Sequence, residues 1–284
     1  MTDRVDEANA PIVAEGVRAE PPSSTSRVLV TGGSSGLGAA LCRALVARGD
    51  QVVSADLNLP AEPIEGVGYL TLDVRSDQDW SDAVAWVDRE WGGLDVLFNN
   101  AGVAGGGRVD VAGIDEWEWI TEINLFGVVR GTKAFVPMMK RQRSGLVVNT
   151  ASLAGLVHPA GMGSYNAVKA AVVAFTETLS HELAGYGIRA AVVCPSYFRT
   201  GLVDTMQGTD TAVGEVIGAL VANAPLGPDE IAAAVLEGLD RGEELILPDD
   251  AARAAYQLKV GDRAAYDDVM RRQAVRLNAM GGRS

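Results

Sequence analysis

The stretch VLVTGGSSGLGAAL, residues 28–41, decides how the rest of the chain is read. VLVT is a short apolar, β-branched run, the texture of a buried strand. It leads straight into Gly32, Gly36 and Gly38, and then Leu37, Leu41, Leu45 and Val46 keep helical spacing until Gly49. A strand, a glycine-rich turn and an amphipathic helix in that order form a phosphate-binding corner. Backbone N–H groups there can approach a pyrophosphate, which rests at the positive end of the helix. Glycine is frequent in this chain, 33 residues in all, so the turn gains its meaning from its place between strand and helix. The candidate contacts are Gly32, Ser34, Ser35, Gly36, Leu37 and Gly38.

Outward from this corner the texture repeats. Apolar strand-like runs occur at 51–56, 69–74, 95–102, 144–152, 187–195 and 244–248. Helical patterns lie between them at 77–92, 115–141, 164–186 and 229–242. About seven strands alternating with helices predict a Rossmann-like, doubly wound α/β fold: one domain, 27–248, with a parallel sheet covered on both faces. Residues 1–26, rich in Pro, Ser, Ala and Glu, read as a disordered N-terminal tail. Residues 249–284 read as a C-terminal helical extension. The glycine-rich segment 201–227 breaks the rhythm and reads as a mobile connection that closes over a site.

Composition removes several function classes. The 284 residues carry 37 acids and 24 bases, net −13, and −12 of that falls on 27–248. Such a chain repels a phosphate backbone, and its basic residues form no run, so no nucleic-acid partner is expected. Bulk charge cannot attract an anionic cofactor either; local N–H groups must do so. Two His (His158, His181) and two scattered Cys (Cys42, Cys194) give no metal-ligand spacing, so no metal is expected. The acidic N-terminus lacks the apolar core of a signal peptide, and no run of ~18 apolar residues suggests a membrane span. With so few cysteines, a reduced, cytoplasmic location is expected.

Three further features carry chemistry. Asp56 ends the second strand, 24 positions after Gly32 and near the ~20-residue offset of a ribose-binding acid. A carboxylate there accepts from the ribose 2′- and 3′-hydroxyls and repels a 2′-phosphate. Leu57 follows it and position 35 is Ser, so no cation awaits a phosphate; NAD is expected, NADP less so. Tyr165 and Lys169 sit at i and i+4 on one helix, which places phenol and ammonium side by side. A free phenol, with a pKa of ~10, is a poor base at neutral pH, and a neighbouring cation lowers that value. Lys169 is one of only four lysines and lies in an otherwise apolar helix, where it must emerge into a cleft or carry an unusual burial cost. Ser152 stands at a strand end, where open α/β sheets bind ligands.

Together these residues resemble the short-chain dehydrogenase/reductase superfamily over residues 27 to about 248. The motifs are TGGSSGLG (31–38), DV (73–74), NNAG (99–102), Asn124 in EINLFG, Ser152, YNAVK (165–169) and CPSYFRT (194–200). The separation of 13 between Ser152 and Tyr165 is the family's usual one. The resemblance implies Tyr165 as acid/base, Lys169 lowering its pKa and binding the nicotinamide ribose, and Ser152 orienting the substrate oxygen. It implies Asn124 as the holder of a relay water. It places Asp73 and Val74 beside the adenine, and Asn100, Ala101 and Gly102 along the adenosine ribose. Pro195 and Thr200 would stand at the nicotinamide. Asn99 is read as a residue of the sheet. One departure is Pro195-Ser196 where the family has Pro-Gly, which is expected to alter local geometry.

The implied activity is the NAD-dependent interconversion of a hydrophobic secondary alcohol and its ketone. A non-catalytic NAD-binding sensor or scaffold of the same fold is the alternative, though a pure binder has no chemical need of Ser152, Tyr165 and Lys169. Leu153, His158, Tyr197 and Phe198 are the substrate candidates, with Val103, Ala104 and the 201–227 segment around them. The resemblance also implies a homo-oligomer, dimer or tetramer, for which Trp117 and Trp119 are candidate interface anchors alongside ordinary core burial.

Overall fold

The computed structural model describes residues 25–281. Seven strands form one sheet in the order β3-β2-β1-β4-β5-β6-β7, and every neighbouring pair is parallel. The strands are β1 (Arg27–Thr31), β2 (Gln51–Asp56), β3 (Val67–Thr71), β4 (Val96–Asn99), β5 (Gly145–Thr150), β6 (Ile188–Val193) and β7 (Leu245–Ile246). The helices in chain order are α1 (Gly36–Ala47), α2 (Asp77–Trp91), α3 (Ile114–Thr121), α4 (Gly127–Gln142), α5 (Ala154–Val157) and α6 (Gly163–Leu183). They continue with α7 (Thr211–Ala222), α8 (Pro228–Asp240), α9 (Asp250–Gly261) and α10 (Arg263–Gly281).

Alternation along the strands divides the core into two layers. Val28 and Val30 of β1 face α1 and α8, packing with Leu41, Leu45, Ile231 and Val235. Leu29, between them, faces the opposite layer with Trp80 of α2, Phe135 of α4 and Leu179 of α6. The sheet is therefore Rossmann-like with helices on both faces, as its sequence pattern predicts. Strand order reverses at β1, whose neighbours are β2 and β4. The crevice at the carboxyl ends of such strands is where doubly wound sheets bind ligands.

Several elements differ from the sequence pattern. The expected single helix over 115–141 is interrupted by a π-helical turn at Glu122–Phe126, between α3 and α4. The apolar period alone cannot register this one-residue change in hydrogen bonding. β4 stops at Asn99 rather than running to 102, because Asn100 turns aside and donates its N–H to Thr31 Oγ1 at 2.9 Å. The 201–227 segment contains ordered helix: a 3₁₀ turn at Gly201–Thr205 and then α7, capped by Asp210, whose side chain accepts from Val213 N–H. Residues 1–24 of the expected tail lie outside the described residues.

Candidate active site

At the β1 carboxyl end, the turn 32–38 is shaped by close backbone approach. Gly32 has φ +65°, and a Cβ on Gly38 would lie 2.0 Å from Gly32 O. The helix it opens, α1, has no side chain capping its N-terminus and no acid in its first turn. Ala39 is the first residue here whose N–H bonds back, to Ser35 O at 3.0 Å. The N–H groups of the first turn and the positive helix end thus face a cavity of about 1470 Å³, lined by Gly32, Ser35, Gly36, Leu37 and Gly38. This open, uncapped corner fits a dinucleotide pyrophosphate. Ser34 is not part of the lining; its N–H donates to Asp56 Oδ2 at 3.0 Å and its hydroxyl to Asn58 O at 2.8 Å.

Asp56 lines the same cavity from the end of β2, followed by Leu57. Its carboxylate is oriented by Ser34 N–H and, at 3.3 Å, by Asn58 N–H. Asp73 and Val74 line the cavity nearby, and so does a cation that sequence reasoning missed, Arg75. The Arg75 guanidinium grips Asp73 at 2.6 and 2.9 Å and holds its carboxyl below the usual range. Asn100, Ala101 and Gly102 follow on the β4 side. Asn99 serves the sheet instead, donating to Asn149 Oδ1 at 2.9 Å and to Thr132 Oγ1 at 3.2 Å.

Ser152 stands just beyond β5, and Tyr165 and Lys169 descend from the first turns of α6. All three line the cavity, with Pro195, Thr200 and the substrate candidates Leu153, Tyr197 and Phe198. Lys169 is 4% exposed and donates from Nζ to Thr150 O at 2.9 Å. Its Nζ lies 5.7 Å from the centroid of the Tyr165 ring. Burial lowers the Lys169 pKa to about 8. Burial also pushes the Tyr165 phenol up to about 12, while its hydrogen bond to Ser152 draws it back. The sequence reading had the cation lowering the phenol below its ordinary value. In the fold, desolvation dominates both groups, and the phenol stands above its ordinary value.

Two candidates occupy other places. Asn124, wholly buried in the π-turn, is absent from the cavity lining. Its amide is engaged with the backbone of Val103, accepting from N–H at 2.8 Å and donating to O at 2.9 Å. The side chain thereby positions the loop after β4. His158 is also outside the lining, because its φ of +52° turns it away. Its Nε2 donates to Gly155 O at 3.1 Å and its Nδ1 accepts from Lys259 at 3.0 Å. Trp119 lines the cavity and Trp117 is half-buried beside Gly163.

Ser196, the departure from Pro-Gly, has a structural role. Its N–H and hydroxyl both bond Asp249, at 2.9 and 2.6 Å, and Asp249 in turn caps α9. Cys42 and Cys194 are buried and free. No described helix is long and apolar enough to cross a membrane.

Comparison with known proteins agrees with this geometry. The chain is 36% identical over 182 residues to a 3-alpha-(or 20-beta)-hydroxysteroid dehydrogenase of Mycobacterium bovis, covering 62% of this chain and 70% of that one. It is 32% identical over 218 residues to a cyclopentanol dehydrogenase of Comamonas testosteroni, covering 74% and 87%. A short chain dehydrogenase/reductase of Burkholderia phymatum, solved with NAD, superposes with a TM-score of 0.77 at 29% identity over 84% of this chain and 94% of that one. Residues 26–210 match the short chain dehydrogenase family as a whole, a span that takes in the glycine turn, Asp56, Ser152, Tyr165 and Lys169 and stops where α7 begins. The chain belongs to that family of oxidoreductases.

Proposed function

We propose that the protein is an NAD-linked dehydrogenase that interconverts a hydrophobic secondary alcohol and its ketone, with Tyr165 as acid/base. The observation that carries this reading is the convergence of Ser152, Tyr165 and Lys169 on the same cavity as the uncapped N-terminus of α1. When bound, the nicotinamide supplies hydride to the ketone or receives it from the alcohol. The chain's own residues manage the oxygen and its proton. Ser152 orients the substrate oxygen by hydrogen bonding. The Tyr165 hydroxyl, protonated at neutral pH, gives its proton to the oxygen of a ketone being reduced. In the reverse direction its phenolate takes that proton back. Lys169, fixed to Thr150 O, keeps positive charge beside the ring where phenolate charge develops. Burying a tyrosine and a lysine costs stability that a pure dinucleotide binder has no reason to meet.

Asp56 favours NAD, since its carboxylate accepts ribose hydroxyls and repels a 2′-phosphate. The opposing consideration is Arg75, which is already paired with Asp73. Apolar walls around Tyr165, including Val103, Leu153, Tyr197 and Phe198, suit a hydrophobic carbinol. The two named relatives are a hydroxysteroid dehydrogenase and a cyclopentanol dehydrogenase, which supports an apolar alcohol as the substrate class. Exposed apolar residues Ile114, at the start of α3, and Phe126, just before α4, suit assembly as a homo-oligomer, a dimer or tetramer. The test is a panel of secondary alcohols and ketones followed by reduced-nicotinamide absorbance with NAD and NADP in parallel. Turnover of apolar secondary alcohols with NAD is expected; activity confined to anionic substrates contradicts the reading.

A further inference from the structure

α9 is tied to both of the loops that carry groups of the candidate site. Its cap, Asp249, is 4% exposed, and its carboxylate accepts three hydrogen bonds. Ser196 gives two of them, N–H to Oδ2 at 2.9 Å and hydroxyl to Oδ1 at 2.6 Å. Ala252 N–H gives the third, to Oδ1 at 2.8 Å. A carboxylate buried this deeply is costly unless its oxygens are bonded. Ser196 supplies two bonds from one residue, whereas a glycine there offers only its N–H. Ser196 has no left-handed φ, so its Cβ brings no backbone strain. Near the far end of α9, Lys259 donates to Leu156 O and, at 3.0 Å, to His158 Nδ1, both in the segment that follows Ser152.

The two loops also meet each other. Leu153 N–H, one residue past Ser152, donates to Pro195 O at 2.9 Å. That oxygen and the Ser196 N–H belong to one peptide group. The group is planar, so holding its O from Leu153 and its N–H from Asp249 fixes its orientation. Ser152, Leu153, Pro195, Tyr197 and Thr200, on either side of this peptide, all line the cavity. Asp249 is not in the lining, so its influence passes through Ser196. The Asp56 end of the cavity belongs to β2, which three strands, β1, β4 and β5, separate from β6.

We propose that Asp249 is a positioning residue of the reaction. Acting through Ser196, it clamps the Pro195–Ser196 peptide and thereby sets both the 195–200 segment, at the nicotinamide end of the cofactor, and the loop that carries Ser152. This rests on the dehydrogenase reading above and adds to it a brace from α9. Asp249 lies beyond the span 26–210 that matches the family, so the brace is built by this chain's C-terminal helices.

The experiment titrates the full chain calorimetrically with NADH and with ADP-ribose, which carries the same adenosine end and lacks the nicotinamide. Asp249→Ser keeps a capping oxygen for α9 and is too short to reach Ser196. Ser196→Ala removes only the hydroxyl and leaves both N–H bonds to Asp249, so it serves where Asp249→Ser loses the fold. NADH is expected to bind about tenfold more weakly in Asp249→Ser and roughly threefold more weakly in Ser196→Ala, with ADP-ribose unchanged in both. Turnover number for a secondary alcohol is expected to fall by similar factors. A general loosening of the fold weakens both ligands alike. Equal weakening of both ligands, or unchanged NADH affinity, in variants of a wild type that oxidises alcohols overturns the role of Asp249 and leaves the dehydrogenase reading standing. A wild type that binds NADH no more tightly than ADP-ribose and oxidises no alcohol overturns both.

Discussion

Lys169 Nζ lies 5.7 Å from the centre of the Tyr165 ring and is bonded at 2.9 Å to Thr150 O, at the carboxyl end of β5. The phenol it faces is held protonated by burial, up to about 12. A proton donor is thus ready for ketone reduction, whereas alcohol oxidation needs the phenolate. We expect kcat/KM for oxidation to rise from pH 7 towards pH 10, while kcat/KM for reduction, served by the protonated phenol, does not rise with it. Initial rates in both directions across that range check this. Parallel profiles would separate Tyr165 from the proton transfer.

Asp56 is expected to set the dinucleotide preference. Asp56→Asn keeps an acceptor for ribose hydroxyls and removes the charge that repels a 2′-phosphate. The ratio of kcat/KM for NAD over NADP should drop roughly tenfold or more, equivalent to about 1.4 kcal/mol. A wild-type preference for NADP would shift attention to Arg75, the cation already lining that end of the cavity.

Arg108 and Asp210 join the loop after β4 to the cap of α7. The Asp210 carboxylate has a fully buried side chain and meets the guanidinium at 2.7 and 2.9 Å, and that pairing holds its pKa below the ordinary value. Arg108→Ala leaves the carboxylate buried without its partner, which is strongly destabilising for such pairs. Limited proteolysis should cut faster within 200–225, with Arg108→Lys intermediate. Unchanged cleavage would remove this pair as the anchor of α7.

His158 contributes a pH dependence to stability. Burial, with Lys259 beside it, lowers its pKa from the ordinary value. The unfolded chain therefore binds more protons as pH falls through ~6.5, and the folded state loses stability there. The contribution is present above that pH. The melting temperature of the wild type should decline more between pH 7 and pH 5 than that of His158→Gln, by a small margin because the ring is partly exposed.

The catalytic groups were legible because each has a local signature. The glycine turn is bracketed by strand and helix, Tyr165 and Lys169 share a helix face, and Ser152 ends a buried strand. What escaped the sequence depends on partners distant along the chain. Ser196 departs from a familiar glycine, and its meaning comes from Asp249, 53 residues later. His158 stands beside the catalytic segment, yet its left-handed backbone and Lys259 draw it out of the cavity. Arg75 lines the cavity while its guanidinium pairs with Asp73, two residues earlier. The π-turn at Glu122–Phe126 leaves the apolar period almost unchanged.

The most direct test of the central claim is turnover by Tyr165→Phe, measured beside its dinucleotide affinity. The variant keeps the ring that packs among Ile120, Met162 and Leu277 and loses only the hydroxyl. The account predicts loss of at least about 100-fold in kcat in both directions with NAD affinity within a few-fold of wild type. Near-wild-type turnover by Tyr165→Phe would contradict it.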